Sequence, residues 1–314
     1  MLQAPLVSVV ILTYNRSSLL LDALASVLKQ TFTDFEIIIV NDGSTDDTVE
    51  RLKPLRDRIR LINQANAGLG AARNRGVREA RGTYVALLDD DDIWRPEKLA
   101  VQIEFSRRRP DCSLVCTPFA TSADPARPVN DPAVVRNSAG IIEHPLRKIG
   151  ESRLWLPPST VIWERRRAAG LTFESRRNCI DDTPFFIKLL ARGPLGMAGE
   201  SPLVIYRLPA TTSSTESSGA VYWYNGIRMM RSRQRGGDFD AGGESHKIDI
   251  GIHIGYIGRT AAVRQLAAGR RRRGARVYLS EFFHQLRLGR FRFLLSYPIL
   301  LLLPARMIHR LTKR

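Results

Sequence analysis

The chain has 314 residues, 44% of them apolar, enough to fill a core, which excludes a wholly disordered protein. Lys and Arg number 48 against 31 Asp and Glu, a net charge of +17, so phosphate-bearing partners such as a nucleotide, anionic lipid or nucleic acid are favoured. From Arg264 onward thirteen basic residues face one acid, Glu281, so most of that excess belongs to the tail. Cys112, Cys116 and Cys179 cannot all pair with one another, and the first two lack the His or Cys companions of a zinc site. Buried, reduced thiols are expected.

In chain order, "MLQAPLVSVVILTYN" has neither the basic start nor the small-residue cleavage site of a leader, so its apolar run is expected to be a strand. Four short β-branched runs, at 7–12, 35–40, 59–63 and 83–88, alternate with helical patterns at about 18–30, 46–55 and 68–80. That alternation predicts βαβ units, hence a parallel α/β sheet sandwiched by helices. Ligands of such sheets bind outside the carboxyl ends of the strands. The polar clusters "TYNR", "NDGSTDD" and "DDDD" all fall there. A helix follows at about 96–109, opened by Pro96. Residues 117–135 read as a long loop, 141–230 as a second structured region with a helix at 184–192, 231–247 as a glycine-rich linker, and 248–314 as a basic helical tail.

Each cluster has a structural and a chemical reading. In "NDGSTDD", Ser44 and Asp47 have capping-box spacing, while Asp42, not needed for the cap, can accept hydrogen bonds from a base or ribose. Gly68 and Gly70 precede a helix carrying Arg73, so the turn can offer N–H groups to an anion with Arg73 adding a donor fork; a basic surface helix accounts for them equally well. Four adjoining carboxylates, Asp89 to Asp92, repel one another unless a cation neutralises them, and oxygen-only ligands select Mg2+ or Mn2+. Strand alternation puts Asp89 and Asp91 on one face and Asp90 on the other, with Asp91 for the metal, Asp89 for sugar or ribose hydroxyls, and Asp92 capping the next helix. In "CIDDTPFF", Asp182 or Thr183 is expected to cap a helix with Pro184 in its first turn, and a carboxylate held there can also serve as a general base.

Together, "VSVVILTYNRSSLLLDALASVLKQTFTDFEIIIVNDGSTDDT", "NAGLGAARNRGVREARGTYVALLDDDDIWRPEKL" and "IDDTPFFIKLLARG" resemble family 2 glycosyltransferases over about 230 residues. The resemblance implies a GT-A, Rossmann-like fold. Its nucleotide-sugar-binding half spans 1–115 and its acceptor-binding, catalytic-base half 116–230. It implies that Tyr14, Asp42 and Arg73 contact the nucleotide, that Asp89, Asp90 and Asp91 form the D-x-D element with Asp91 on the metal, and that Asp182, beside a supporting Asp181, is the base. The implied reaction is metal-assisted, inverting transfer from a UDP-sugar, with GDP- or dTDP-sugars as alternatives. Leu208 and Pro209 stand where the family often has a histidine. The apolar run Phe293–Pro304 is about 18 Å as a helix, too short to span a bilayer. With its arginines it suits an anionic membrane surface, with a hydrophobic helix docked on the catalytic domain as the alternative, and the expected site of action is the cytoplasmic face, on a lipid-linked or polysaccharide acceptor. A nucleic-acid binder is disfavoured because the tail's companions are leucines rather than stacking aromatics; a non-catalytic relative is disfavoured by the intact acids.

Overall fold

The computed structural model describes residues 4–122, 129–130, 139–208, 217–305 and 307–308. These group into two compact units. The first comprises Met1–Glu143, Leu154–Arg177 and Asp181–Pro209, and the second His144–Arg153, Asn178–Ile180 and Ala210–Arg314.

The first unit opens with β1 (Val7–Thr13), α1 (Ser17–Leu28), β2 (Phe35–Asn41), α2 (Thr48–Leu52), β3 (Arg60–Asn63), α3 (Leu69–Glu79) and β4 (Tyr84–Asp89). Every residue of β1 is buried, as a strand covered on both faces requires, and this explains its unbroken apolar run. β1 pairs in parallel with β2 and β4, and β2 in parallel with β3. Gly76 of α3 permits the helix to lie close on this sheet, since a Cβ there would meet Val10 Cγ1 at 2.3 Å.

The chain continues through β5 (Ile93–Trp94), α4 (Lys98–Arg108), β6 (Leu114–Cys116), β7 (Phe119–Ser122), β8 (Val129–Asn130), β9 (Gly140–Ile142), α5 (Pro145–Gly150) in the second unit, β10 (Val161–Glu164), α6 (Thr183–Leu190), β11 (Leu195–Met197) and β12 (Val204–Arg207). The main sheet has eight strands in the order β3-β2-β1-β4-β10-β6-β11-β9, and a smaller one has the order β5-β12-β7-β8. β10 runs antiparallel to both β4 and β6, so the sheet is mostly parallel on the β1–β4 side and mixed beyond it. The expected loop at 117–135 is therefore partly strand: β7 pairs with β8 and with β12, while 123–128 and 131–138 lie outside the described residues. All three cysteines are buried, and none of them is in a disulfide.

The second unit is helical, with α7 (Ser217–Arg235), α8 (Gly243–Ala267), α9 (Arg271–Arg287) and α10 (Phe291–Leu302). Residues 231–247, expected as a linker, are mostly helical, because α7 runs through Arg235 and α8 starts at Gly243. The glycines cluster at the reversal, where Gly237 and Gly243 take positive φ, and so turn the chain rather than extend it. α7, assigned from the sequence to the catalytic half, belongs to this unit and packs on α8. Tyr278 stacks on Tyr297 at 4.5 Å, joining α9 to α10. Among the described residues no helix is long and apolar enough to cross a membrane.

Candidate active site

The strands β1, β2 and β4 deliver their polar ends to one edge of the main sheet. β1 ends at Thr13, and the following Asn15 takes a left-handed φ of 53°. Its side chain accepts from Thr45 N at 2.7 Å, and its own N–H donates to Ser44 Oγ at 2.9 Å. Ser44 therefore clamps the neighbouring turn and caps no helix. The role expected of Ser44 and Asp47 falls to Asp46, whose carboxylate accepts from Thr48 N at 3.1 Å. Tyr14 stands 47% exposed on the clamped turn, open to a flat ligand.

Asp42 is buried, and its carboxylate accepts from Gln64 Nε2 at 2.7 Å and from the N–H groups of Ala67 and Gly68, each at 2.8 Å. The glycine turn thus spends these two N–H groups on Asp42, so of the two open readings the one that offers them to an external anion does not hold for Ala67 and Gly68. Gly68, at φ 92°, takes a conformation that disfavours side chains.

Arg73 also departs from expectation. It is 2% exposed, with one guanidinium nitrogen on Asp89 at 2.9 Å and another on Asp181. A donor fork engaged in this way is a bridge between two strand and loop ends rather than a free anion clamp. Gly70 makes the bridge possible, since a Cβ there would lie 1.8 Å from Glu174 O and 3.2 Å from Asp181 Cβ. Burial pushes the Asp181 carboxyl upward, and the adjacent Arg73 charge opposes it. Asp182, the residue before α6, accepts no capping hydrogen bond from that helix with its side chain. It is less buried than Asp181, accepts from Thr183 Oγ1 at 3.2 Å, and is likewise pushed upward by burial, with Arg73 opposing. The expected capping account of Asp182 or Thr183 does not hold, and Asp182 is left with acceptor capacity.

The four aspartates divide differently from strand alternation. β4 stops at Asp89, and Asp92 N donates to Asp89 O at 3.1 Å, closing a turn. Asp90 and Asp91 consequently meet the same nitrogen of Arg16, at 3.2 and 3.0 Å, rather than facing opposite ways. Burial raises Asp90 to about 6 despite Arg16, and burial followed by the Asp89 charge raises Asp91. Asp92 does not cap α4. It is fully buried, accepting from Ser159 Oγ at 2.5 Å and Arg207 N at 3.1 Å, and burial lifts it well above the usual carboxylate range. Pro96 precedes α4, which starts at Lys98.

Sequence reasoning did not single out Arg16 or Ser159. Arg16 follows "TYN" directly, and its position after β1, beside the end of the adjacent β4, was the available signal. Ser159 offered none: its hydroxyl also accepts from Asp89 N at 3.0 Å, a contact 70 residues distant. Among the described residues no three His, Cys, Asp or Glu side chains are arranged to hold a metal ion by themselves. The donor set nevertheless fits a hard cation, because Asp90 and Asp91 converge on one positive charge through oxygens alone. Leu208 is 47% exposed, and Pro209 lies outside the described residues.

The chain is similar to known proteins in part of its sequence and in its fold. Chondroitin synthase of Escherichia coli is 43% identical over 117 residues, 36% of this chain and 17% of that protein, so the chain spans only a fraction of that relative. Among solved structures, residues 1–349 of TarS from S. aureus superpose with a TM-score of 0.66 at 19% identity, covering 93% of this chain and 89% of that one. The mannosyltransferase PcManGT of Pyrobaculum calidifontis, solved with GDP-Man and Mn2+, gives 0.58 at 18% identity, covering 100% and 89%. Both likenesses concern the fold, a mostly parallel GT-A-like sheet flanked by helices. Residues 8–164, half of the chain and including every strand end described from Tyr14 to Asp92, match the family described as Glycosyl transferase family 2, and the chain belongs to that family.

Proposed function

We propose that this protein is an inverting glycosyltransferase that moves a sugar from a UDP-sugar to a hydroxyl of a lipid-linked or polysaccharide acceptor. The observation that carries the reading is the gathering of Asp89, Asp181 and Asp182 around Arg73 at the ligand edge of the sheet. TarS has been solved with UDP and with UDP-GlcNAc, and chondroitin synthase is by name a polymer-forming enzyme, which supports the donor and the acceptor class.

Tyr14 and Asp42 bind the base end of the nucleotide. Asp89, held by Arg73, receives the ribose or sugar hydroxyls, with Arg73 acting on the donor through Asp89. Asp182 takes the proton of the acceptor hydroxyl as its oxygen attacks the anomeric carbon. The bond from that carbon to the diphosphate oxygen breaks on the opposite face, and its electron pair leaves with UDP. One displacement inverts the anomeric configuration. Asp91, with Asp90 beside it, would hold the divalent cation, Mn2+ or Mg2+, which when bound neutralises charge on the diphosphate.

The second unit suits an anionic membrane surface. Leu279 and Phe283 on α9, and Leu295, Ile299 and Leu302 on α10, are 61–81% exposed, and Arg270–Arg273 stand at the start of α9. Apolar side chains in the acyl boundary with guanidinium groups on lipid phosphates would hold the enzyme peripherally, on the cytoplasmic leaflet.

The test is release of the matching nucleoside diphosphate from a panel of UDP-, GDP- and dTDP-sugars with and without Mn2+. Metal-dependent release from at least one UDP-sugar is expected. Release confined to GDP- or dTDP-sugars overturns the donor, and no release from any overturns the activity.

A further inference from the structure

The segment between β9 and β10 has no motif legible in the sequence, yet it carries the aromatic side chain best presented to solvent in the first unit's small-sheet region. Trp155 is 44% exposed. Behind it stand Phe119 on β7 and Tyr206 on β12, with ring centroids 5.3 and 4.8 Å from the indole and interplanar angles of 79° and 62°. Phe119 is fully buried, so the group is anchored at its base and open at Trp155.

Two further observations tie this ring to the carboxylates. Ser159, four residues downstream, donates to Asp92 and accepts from Asp89 N, while its carbonyl accepts from Trp94 Nε1 at 2.9 Å. The backbone that carries Trp155 is therefore pinned to the aspartate turn. Tyr206 is the residue before Arg207, whose N–H also holds Asp92, and after burial the charges of Asp92, Asp89, Asp91 and Asp182 act on its hydroxyl. The aromatic group thus borders the proposed reaction centre.

Sheet order indicates the side. Tyr14 and Asp42 follow β1 and β2, whereas the Trp155 segment leads into β10, across β4 from them. The proposed nucleotide-binding residues and the indole therefore fall on opposite sides of β4 in the sheet order. An exposed π face attracts the weakly positive C–H bonds that line one side of a pyranose ring, in the manner of edge-to-face aromatic pairs. We propose that Trp155 is a stacking platform for the pyranose ring of the acceptor saccharide, held beside the reaction centre by Ser159. The acceptor assignment rests on the glycosyltransferase reading above.

Saturation-transfer NMR with the methyl β-glycosides of glucose, galactose, mannose and N-acetylglucosamine tests the platform without turnover. At least one glycoside is expected to receive saturation on its ring protons from the wild type, with the effect falling about three- to tenfold in Trp155→Ala and largely retained in Trp155→Phe. Trp155→Leu keeps apolar bulk without a π face, so a loss there at an unchanged melting temperature separates stacking from packing. Equal saturation in wild type and Trp155→Leu, or none of the four glycosides binding the wild type, overturns the platform. Displacement of the signal by UDP-glucose or UDP-GlcNAc, with UDP inert, assigns the ring to the donor sugar and overturns the acceptor assignment. A protein inactive on the donor panel yet showing Trp155-dependent glycoside binding loses the activity reading and keeps the platform.

Discussion

Arg73 and Arg16 each bridge two aspartates, but Arg73 is 2% exposed at its side chain and Arg16 is 44% exposed. Arg73 joins Asp89 to Asp181 across 92 residues of chain, inside the protein. Arg16 touches the consecutive Asp90 and Asp91 at a turn. Removing one partner of a fully buried pair strands a charge, whereas the half-exposed Arg16 is partly screened by water and can exchange partners, even though Asp90 beside it is buried. Arg73 thus marks a fixed centre, which holds the site together, and Arg16 an exchangeable one, where the proposed cation and diphosphate would replace an internal contact.

The most severe way to break the fixed centre is Arg73→Met, which leaves Asp89 and Asp181 uncompensated. A loss of about 3–5 kcal/mol is expected in urea denaturation, and a loss below 1 kcal/mol would count against the bridge. Asp182→Asn probes chemistry at the same centre without removing an ion pair. Its melting temperature and UDP binding should stay near wild type while turnover falls about 10²–10⁴-fold; unchanged turnover would remove it as the base.

The exchangeable centre should respond through ligands. Asp91→Asn is expected to weaken Mn2+-dependent UDP binding by about tenfold, the scale of one charge-assisted contact, and EDTA should bring wild type to the same level. An unaltered Mn2+ titration would sink its assignment. Smallest is Arg16→Ala, expected to cost about 1–2 kcal/mol of stability, because Asp90 is buried while the guanidinium it loses is half-exposed. A urea midpoint shift as large as that of Arg73→Met would erase the distinction between the two centres.

The legible parts of the site were those written locally. "TYN", "NDGS" and "DDDD" end apolar strands, so their place at the ligand edge followed from the alternation of strands and helices. Side-chain partners were less legible. Arg73 read equally as an anion-binding fork or as part of a basic surface helix because nothing nearby in the sequence announces Asp181, and nothing nearby shows that Gly70 serves the close approach of the Glu174 backbone. Asp92 read as a cap because a helix follows it, whereas Ser159 and Arg207, 67 and 115 residues away, take its oxygens.

Periodicity alone determined the βαβ order of the first unit, the burial of β1, and the concentration of positive charge beyond Arg264, since each depends on residues within one or two turns or a single strand. Tertiary structure decided which carboxylates meet which arginine, that Asp90 turns toward Asp91, and that 231–247 folds back as helix. These outcomes depend on long-range pairing and on the desolvation that makes an unpartnered charge costly, and neither is encoded in the spacing of neighbouring residues.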